Sequence, residues 1–193
     1  MFKPKDFDKT QIGNYMKFED GENKIRILDT PITGYVYWED AAGNIVGRNE
    51  QAGKGGKPVR TPDFSGFDND KRGAMRGFTA MKVWNYNASK VQILEIKQVH
   101  IINALEVLSI SKSWGDVTKF DIIINRKRTG TQPMDVEYSV VPEPKEELSK
   151  EIKEEYKKVS IDLDALFKGE DPFSSSEEKV DLEDLPEDLD LDD

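Results

Sequence analysis

Residues 78–96 hold two runs rich in β-formers, FTAMKVWNY and KVQILEI, separated by the three residues Asn87, Ala88 and Ser89. That spacing predicts a β-hairpin and commits the surrounding chain to a sheet. Further strands are expected at KIRIL (24–28), continuing through Pro31 into ITGYVYW (32–38), at KFDIIINRKR (119–128) and at DVEYSVV (135–141). Between the third and fourth of these, QVHIINALEVLS (98–109) carries Ile101, Ile102, Leu105 and Leu108 at helical spacing. The order is long strand, strand, strand, helix, strand, strand. It predicts a mainly β fold, a five-stranded OB-type barrel with a helix between strands 3 and 4.

Charge divides the chain. Residues 1–140 carry a net +3 and residues 141–193 a net −13, so the acidic balance belongs to the C-terminal part. From Glu170 onward there are 12 acids and one lysine, Lys179. Such a segment repels itself and has too little apolar surface to offset ordering, so residues 174–193 are expected to be a disordered acidic tail. Leu182, Leu185, Leu189 and Leu191 interrupt its acids, and a solubilising tail has no need of leucines. Before the tail, residues 143–173 are expected to form a helix with Leu148, Ile152 and Tyr156 in line, then a short apolar docking segment with Leu163, Leu166, Phe167 and Phe173. The expected domains are an N-terminal arm (1–20), a core (21–142) interrupted by a basic, aperiodic loop (40–77), the C-terminal helix and docking segment, and the tail.

Composition removes much chemistry. Zero cysteines exclude disulfides, thiolate zinc sites and cysteine nucleophiles, and one histidine leaves no His-rich metal site. The N-terminal MFKPKDFDKT has no apolar signal core and no stretch is long and apolar enough to span a bilayer, so a cytoplasmic protein without membrane contact is expected. GRNEQAGKGGK has five residues between Gly47 and Gly53 where a phosphate loop needs four, and Gly55 stands where Ser or Thr should follow Lys54. His100, at the start of the helix, is expected at the surface. A magnesium-dependent nuclease is the enzyme alternative: Pro62–Asp63 and Glu95–Ile96–Lys97 match a Pro-Asp…Glu-x-Lys pattern, with two carboxylates to hold the metal and Lys97 to stabilise the transition state. An acidic DNA mimic is a third reading, opposed by the net-positive body.

Alternation separates the strand faces. Met81 and Val83 share one face with Ile25, Ile27 and the aliphatic residues of the later strands. The other mixes rings with lysine and arginine. That mixture suits unpaired bases, which stack on aromatic rings while cations follow the phosphates. The expected stacking residues are Tyr35, Tyr37, Phe78, Trp84 and Tyr86. Lys24, Arg26, Lys82, Lys119, Arg126 and Lys127 are expected to hold phosphates. The loop adds Arg48, Lys54, Lys57, Arg60, Lys71, Arg72 and Arg76 as a clamp. Trp38 shares the parity of Val36 and is expected in the core. No catalytic residue, metal or cofactor is expected.

GENKIRILDTPITGY, FTAMKVWNY followed by VQILEI, WGDVTKFDI, VEYSVVP and ALFKGEDPF resemble bacteriophage single-stranded DNA-binding proteins of the replication type, over about residues 18–173. The resemblance implies an OB-fold that coats single-stranded DNA during phage replication, recombination and repair. It also implies a tail that contacts replication or recombination proteins and regulates binding. Two departures stand out: no cysteine is present for the structural zinc of some relatives, and the tail ends LDLDD without an aromatic residue. The first 20 residues hold four lysines against four acids, which gives little support for a basic arm.

Overall fold

A computed structural model describes residues 13–46, 57–68 and 74–173. The strands are β1 (Gly21–Ile27), β2 (Ile32–Glu39), β3 (Ile45–Val46), β4 (Lys57–Thr61), β5 (Arg76–Asn85), β6 (Lys90–Ile96), β7 (Phe120–Arg128) and β8 (Val136–Lys145). The helices are α1 (Val99–Ile110), α2 (Lys150–Lys157) and α3 (Ala165–Lys168), with a 3-10 turn at Val117–Lys119. The fold is mainly β, one antiparallel sheet in which β5 is central.

The expected hairpin is β5–β6, with seven paired positions from Thr79↔Ile96 to Asn85↔Lys90. On its other edge β5 pairs with β2 through residues 76–80 and with β1 through residues 83–85. The amide of Leu28 also donates to the Lys82 carbonyl at 2.9 Å. Thus β1 and β2 act as one long strand bent at Asp29–Pro31, where the proline lacks the donor needed to continue the ladder. β1 then pairs with β7, and β7 with β8.

The stretch 40–77 differs from expectation. It contains β3 and β4, both paired with the outer end of β2. Neither alternates cleanly, and β4 (KPVRT) carries a proline, so no periodicity betrays them. Asn14 and Met16, from the expected N-terminal arm, exchange backbone hydrogen bonds with Ile93 of β6. Gln92 donates to the Gly13 carbonyl at 2.6 Å. The described end of that arm is therefore part of the sheet, and Met16 is in the core.

The sheet has an apolar cluster on each face. On one, Ile25, Ile27, Met81, Val83, Leu94, Ile96, Phe120, Ile122 and Ile124 pack against Ile101 and Leu105 of α1. On the other, Val36, Phe78, Ala80, Trp84, Val91 and Ile93 pack against Ile152, Ile161, Leu163 and Leu166. Ser149 caps α2 by accepting from the Ile152 amide, which turns the stripe Leu148–Ile152–Tyr156 onto the sheet. The docking segment follows as a strap. Its Phe167 lies against Gly34, where a Cβ would come within 2.8 Å of the ring and 2.5 Å of the Thr61 carbonyl oxygen, so only glycine fits.

Candidate nucleic-acid interface

β2 departs from the face the alternation predicts: Gly34 pairs with Phe78 and Val36 lies in the Phe78–Trp84 cluster, so Tyr35 and Tyr37 project to the opposite face from those two rings, and the face that holds Phe78 and Trp84 is not open. Phe78 and Trp84 are 2% and 4% exposed, sealed beneath the strap. They are core residues, which corrects the expectation that they stack bases. Magnitudes decide whether the strap is a removable cover. Uncovering its buried Ile161, Leu163 and Leu166 costs about 4.5–9 kcal/mol at about 1.5–3 kcal/mol each. Phe78 and Trp84 would return about 2–6 kcal/mol as stacking platforms. The strap belongs to the fold.

Arg26 is also corrected. It is 2% exposed, its Nε donating to Asp121 at 2.5 Å and its Nη1 to the Glu146 carbonyl at 2.9 Å, so it offers nothing to a phosphate. Lys24 lies beside it, 2.6 Å from Glu143 and 3.1 Å from Asp121, and its ammonium sits 4.8 Å above the Tyr86 ring. The hydrogen bond to Glu143 leads the causes that push Lys24 up to about 12. Burial, reinforced by Asp121, pushes the half-buried Tyr86 phenol up to about 12 as well. This group ties β1, β7 and β8 together. Lys82 is likewise engaged, 3.1 Å from Asp29, whose carboxyl the lysine holds below its ordinary range.

Rings and cations remain accessible in two places. The first is the outer end of β2. Tyr35, half-buried, stacks on Phe64 with ring centroids 3.9 Å apart, and Tyr37 meets Phe67 edge-on at 5.4 Å. Tyr37 is itself 5% exposed, so it supports the cluster from below and is not a stacking surface, a further correction. Tyr35 stands opposite Gly77 of β5 and Thr61 of β4. A Cβ built on Gly77 would meet no atom within 4 Å, so the space on that side of Tyr35 is open. Lys57, opposite Glu39, is exposed on the face of Tyr35, while exposed Arg76, opposite Val36, projects from the other face. Arg60 points elsewhere, paired with Glu95 at 2.7 Å.

The second place is an open cleft of about 590 Å³ at the far end of β7–β8, lined by Asn125, Arg126, Lys127, Arg128, Tyr138 and Ser139, with Asp20 and Glu137 among them. Arg126 is bonded to Asp20, Arg128 is exposed with its Nε 3.9 Å from the same carboxylate, and Lys127 is exposed. Lys119 is exposed at the end of the 3-10 turn. Arg48, Lys54, Lys71, Arg72 and the tail lie outside the described residues. Phe64, Phe67, Gly77 and Arg128 were not singled out from the sequence. The spacing of the two phenylalanines in FSGF and the NRKR run were the available signals.

Glu95, the second carboxylate of the nuclease pattern, pairs one oxygen with Arg60 and the other with Lys97 at 2.9 Å. Asp63 is exposed and caps its own turn by accepting from the Ser65 amide. No group of three His, Cys, Asp or Glu among the described residues is placed to hold a metal ion. His100 is exposed, and Trp114, half-buried, packs on Phe120. Trp38 is half-buried against the strap-side core, with Lys97 5.3 Å above its ring. Among the described residues no helix is long and apolar enough to cross a membrane. No family model, curated protein or solved structure matches the chain.

Proposed function

We propose that this chain is a non-catalytic, sequence-independent single-stranded DNA-binding protein on an OB-type barrel, acting in phage replication, recombination and repair. The observation that carries the reading is the open space over Gly77 beside the Tyr35–Phe64 stack, with exposed Lys57 on the same face of the sheet. A flat apolar surface next to cations suits a stacked base with its phosphate. Counting β1–β2 as one bent strand supports the barrel type. The order is then bent strand, β5, β6, α1, β7 and β8, with β7 returning beside β1. The β3–β4 excursion then extends the first connection of the barrel, one of the two loops that flank nucleic acid in such folds.

In this reading, DNA lies along the Tyr35 end and the β7–β8 cleft, with Lys127 and Arg128 as phosphate contacts, and the strap stays in place. The acidic tail regulates binding as a tethered polyanion, screened as salt rises, and offers a site for replication or recombination proteins. Ring stacking does not read the sugar, so RNA is an equivalent ligand for this chemistry.

The test is a titration of labelled oligo-dT at two salt concentrations, in magnesium and then EDTA, with the DNA length checked afterwards. Salt-sensitive binding that leaves the DNA intact is expected. No binding at low salt, even by a chain lacking residues 174–193, overturns the reading. Magnesium-dependent shortening would move the assignment to Asp63, Glu95 and Lys97.

A further inference from the structure

The end of β7 sets two arginines against one carboxylate. Arg126 and Arg128 are two positions apart, so they leave the same face of the strand about 7 Å from each other, with Tyr138 opposite Arg126 on that face. Arg126 is bonded to one oxygen of Asp20, and the Nε of Arg128 lies 3.9 Å from the other. The three groups line the cleft of about 590 Å³, which falls within the about 300–1,000 Å³ of sites that enclose a small ligand. On the β1 side, Gly21 stands opposite Arg126, and a Cβ built there would meet no atom within 4 Å. Space beside the guanidinium is open.

Asp20 is placed there by its neighbours. Buried Asn23 accepts from the Glu19 amide and donates to the Glu19 carbonyl, both at 2.9 Å, and donates to the Ile124 carbonyl of β7 at 3.1 Å. Phe18 packs on Tyr138 with ring centroids 5.5 Å apart. The turn before β1 is thus tied to β7 and β8 without help from the Asp20 side chain, which is 58% exposed. An ion pair so exposed adds little to stability, because water screens it and two side chains must be held in one geometry. The carboxylate nevertheless occupies the guanidinium donors that a phosphate oxygen would use.

We propose that Arg126 and Arg128 form a phosphate site that Asp20 fills in the free chain, and that a single strand enters the cleft by exchanging one of its phosphates for this carboxylate. The exchange is charge for charge. A phosphate bound there displaces a resident anion instead of solution counterions, so the two arginines add less affinity, and less salt dependence, than two free cations would. Asp20 is therefore a built-in brake on the cleft. Lys127 leaves the opposite face of β7, with Glu137 across from it, and takes no part in the exchange. This inference rests on the single-stranded DNA-binding reading and adds a regulator to its cleft.

The test is oligo-dT titration of the full chain carrying Asp20→Asn, from about 50 to about 200 mM salt. Binding should be about tenfold tighter than wild type at the lowest salt. The slope of log affinity against log salt should steepen by about 0.7 for each arginine released to the solution counterions. Asp20→Ala should behave alike, and urea melts of both variants should stay near wild type. Glu137→Gln removes a charge from the same cleft without touching the pair, and should gain no more than about twofold with the slope unchanged. Arg126→Gln should cost less than about threefold in the wild-type chain but should cancel most of the gain in the Asp20→Asn chain. Asp20 variants that match Glu137→Gln in affinity and slope, or that bind no tighter and melt at clearly lower urea, would overturn the inference while oligo-dT binding itself stands. Absence of oligo-dT binding by every chain overturns both readings together.

Discussion

Arg26 and Tyr35 both sit among residues that alternation alone marks for DNA, yet their surroundings assign them opposite roles. Arg26 is desolvated, and Asp121 with the Glu146 carbonyl compensates its charge. Removing one partner of such a pair leaves the other buried and uncompensated, so Arg26→Ala should cost about 3–5 kcal/mol in a urea melt. Tyr35 has room beside it. Gly77→Val fills that room without strain from a left-handed backbone, and should lower oligo-dT affinity about tenfold while leaving the melt nearly unchanged. Unchanged affinity would remove Tyr35 from the interface. The Tyr86 and Lys24 groups make a pH prediction. Both hold their proton up to about 12 in the folded chain, above ordinary values of 10.0 and 10.5. A folded-state pKa above the unfolded one gives stability that is full below the unfolded pKa and lost as pH rises through the folded one. Stability should therefore fall between about pH 10 and 12, and less so in Tyr86→Phe, measured by urea melts across that range.

Strands and helices were legible where periodicity is strong. The β5–β6 hairpin, α1 and β7 lie within a residue or two of their expected places, because their apolar residues recur at the spacing that one buried face requires. β3 and β4 were not legible, since they are held by pairing to β2 and not by a buried face of their own. The strap was expected to dock, but its target was not given by its own pattern. Leu166→Ala should cost about 2–5 kcal/mol in a urea melt and should not tighten oligo-dT binding. Tighter binding by this variant would mean that the strap is a removable cover and that Phe78 and Trp84 are platforms after all. Pro142, opposite Ile122 on β8, which among the described residues pairs only with β7, carries no donor to offer a further strand, and so limits growth of the sheet there.

At the scale of the whole molecule, the division of charge matters more than its total. A body of net-positive charge tethered to a polyanion should bind DNA more tightly once residues 174–193 are removed, most of all at low salt. Affinity unchanged across salt would mean that the tail does not act on the binding surface. Local spacing and composition determined the mainly β class, the helix after the hairpin and the charge division, because each is written in the order of side chains along one segment, whereas which side of β2 joins which side of β5 is set by their register. Contacts between distant segments decided which face is open. Trp84 is a core residue because Ile161, Leu163 and Leu166, some eighty positions later, pack onto its side of the sheet. Tyr35 keeps open space because its cross-strand neighbour in β5 happens to be a glycine. Alternation says that a side chain points away from one core, and only the assembled chain decides whether water or a second core lies on the other side.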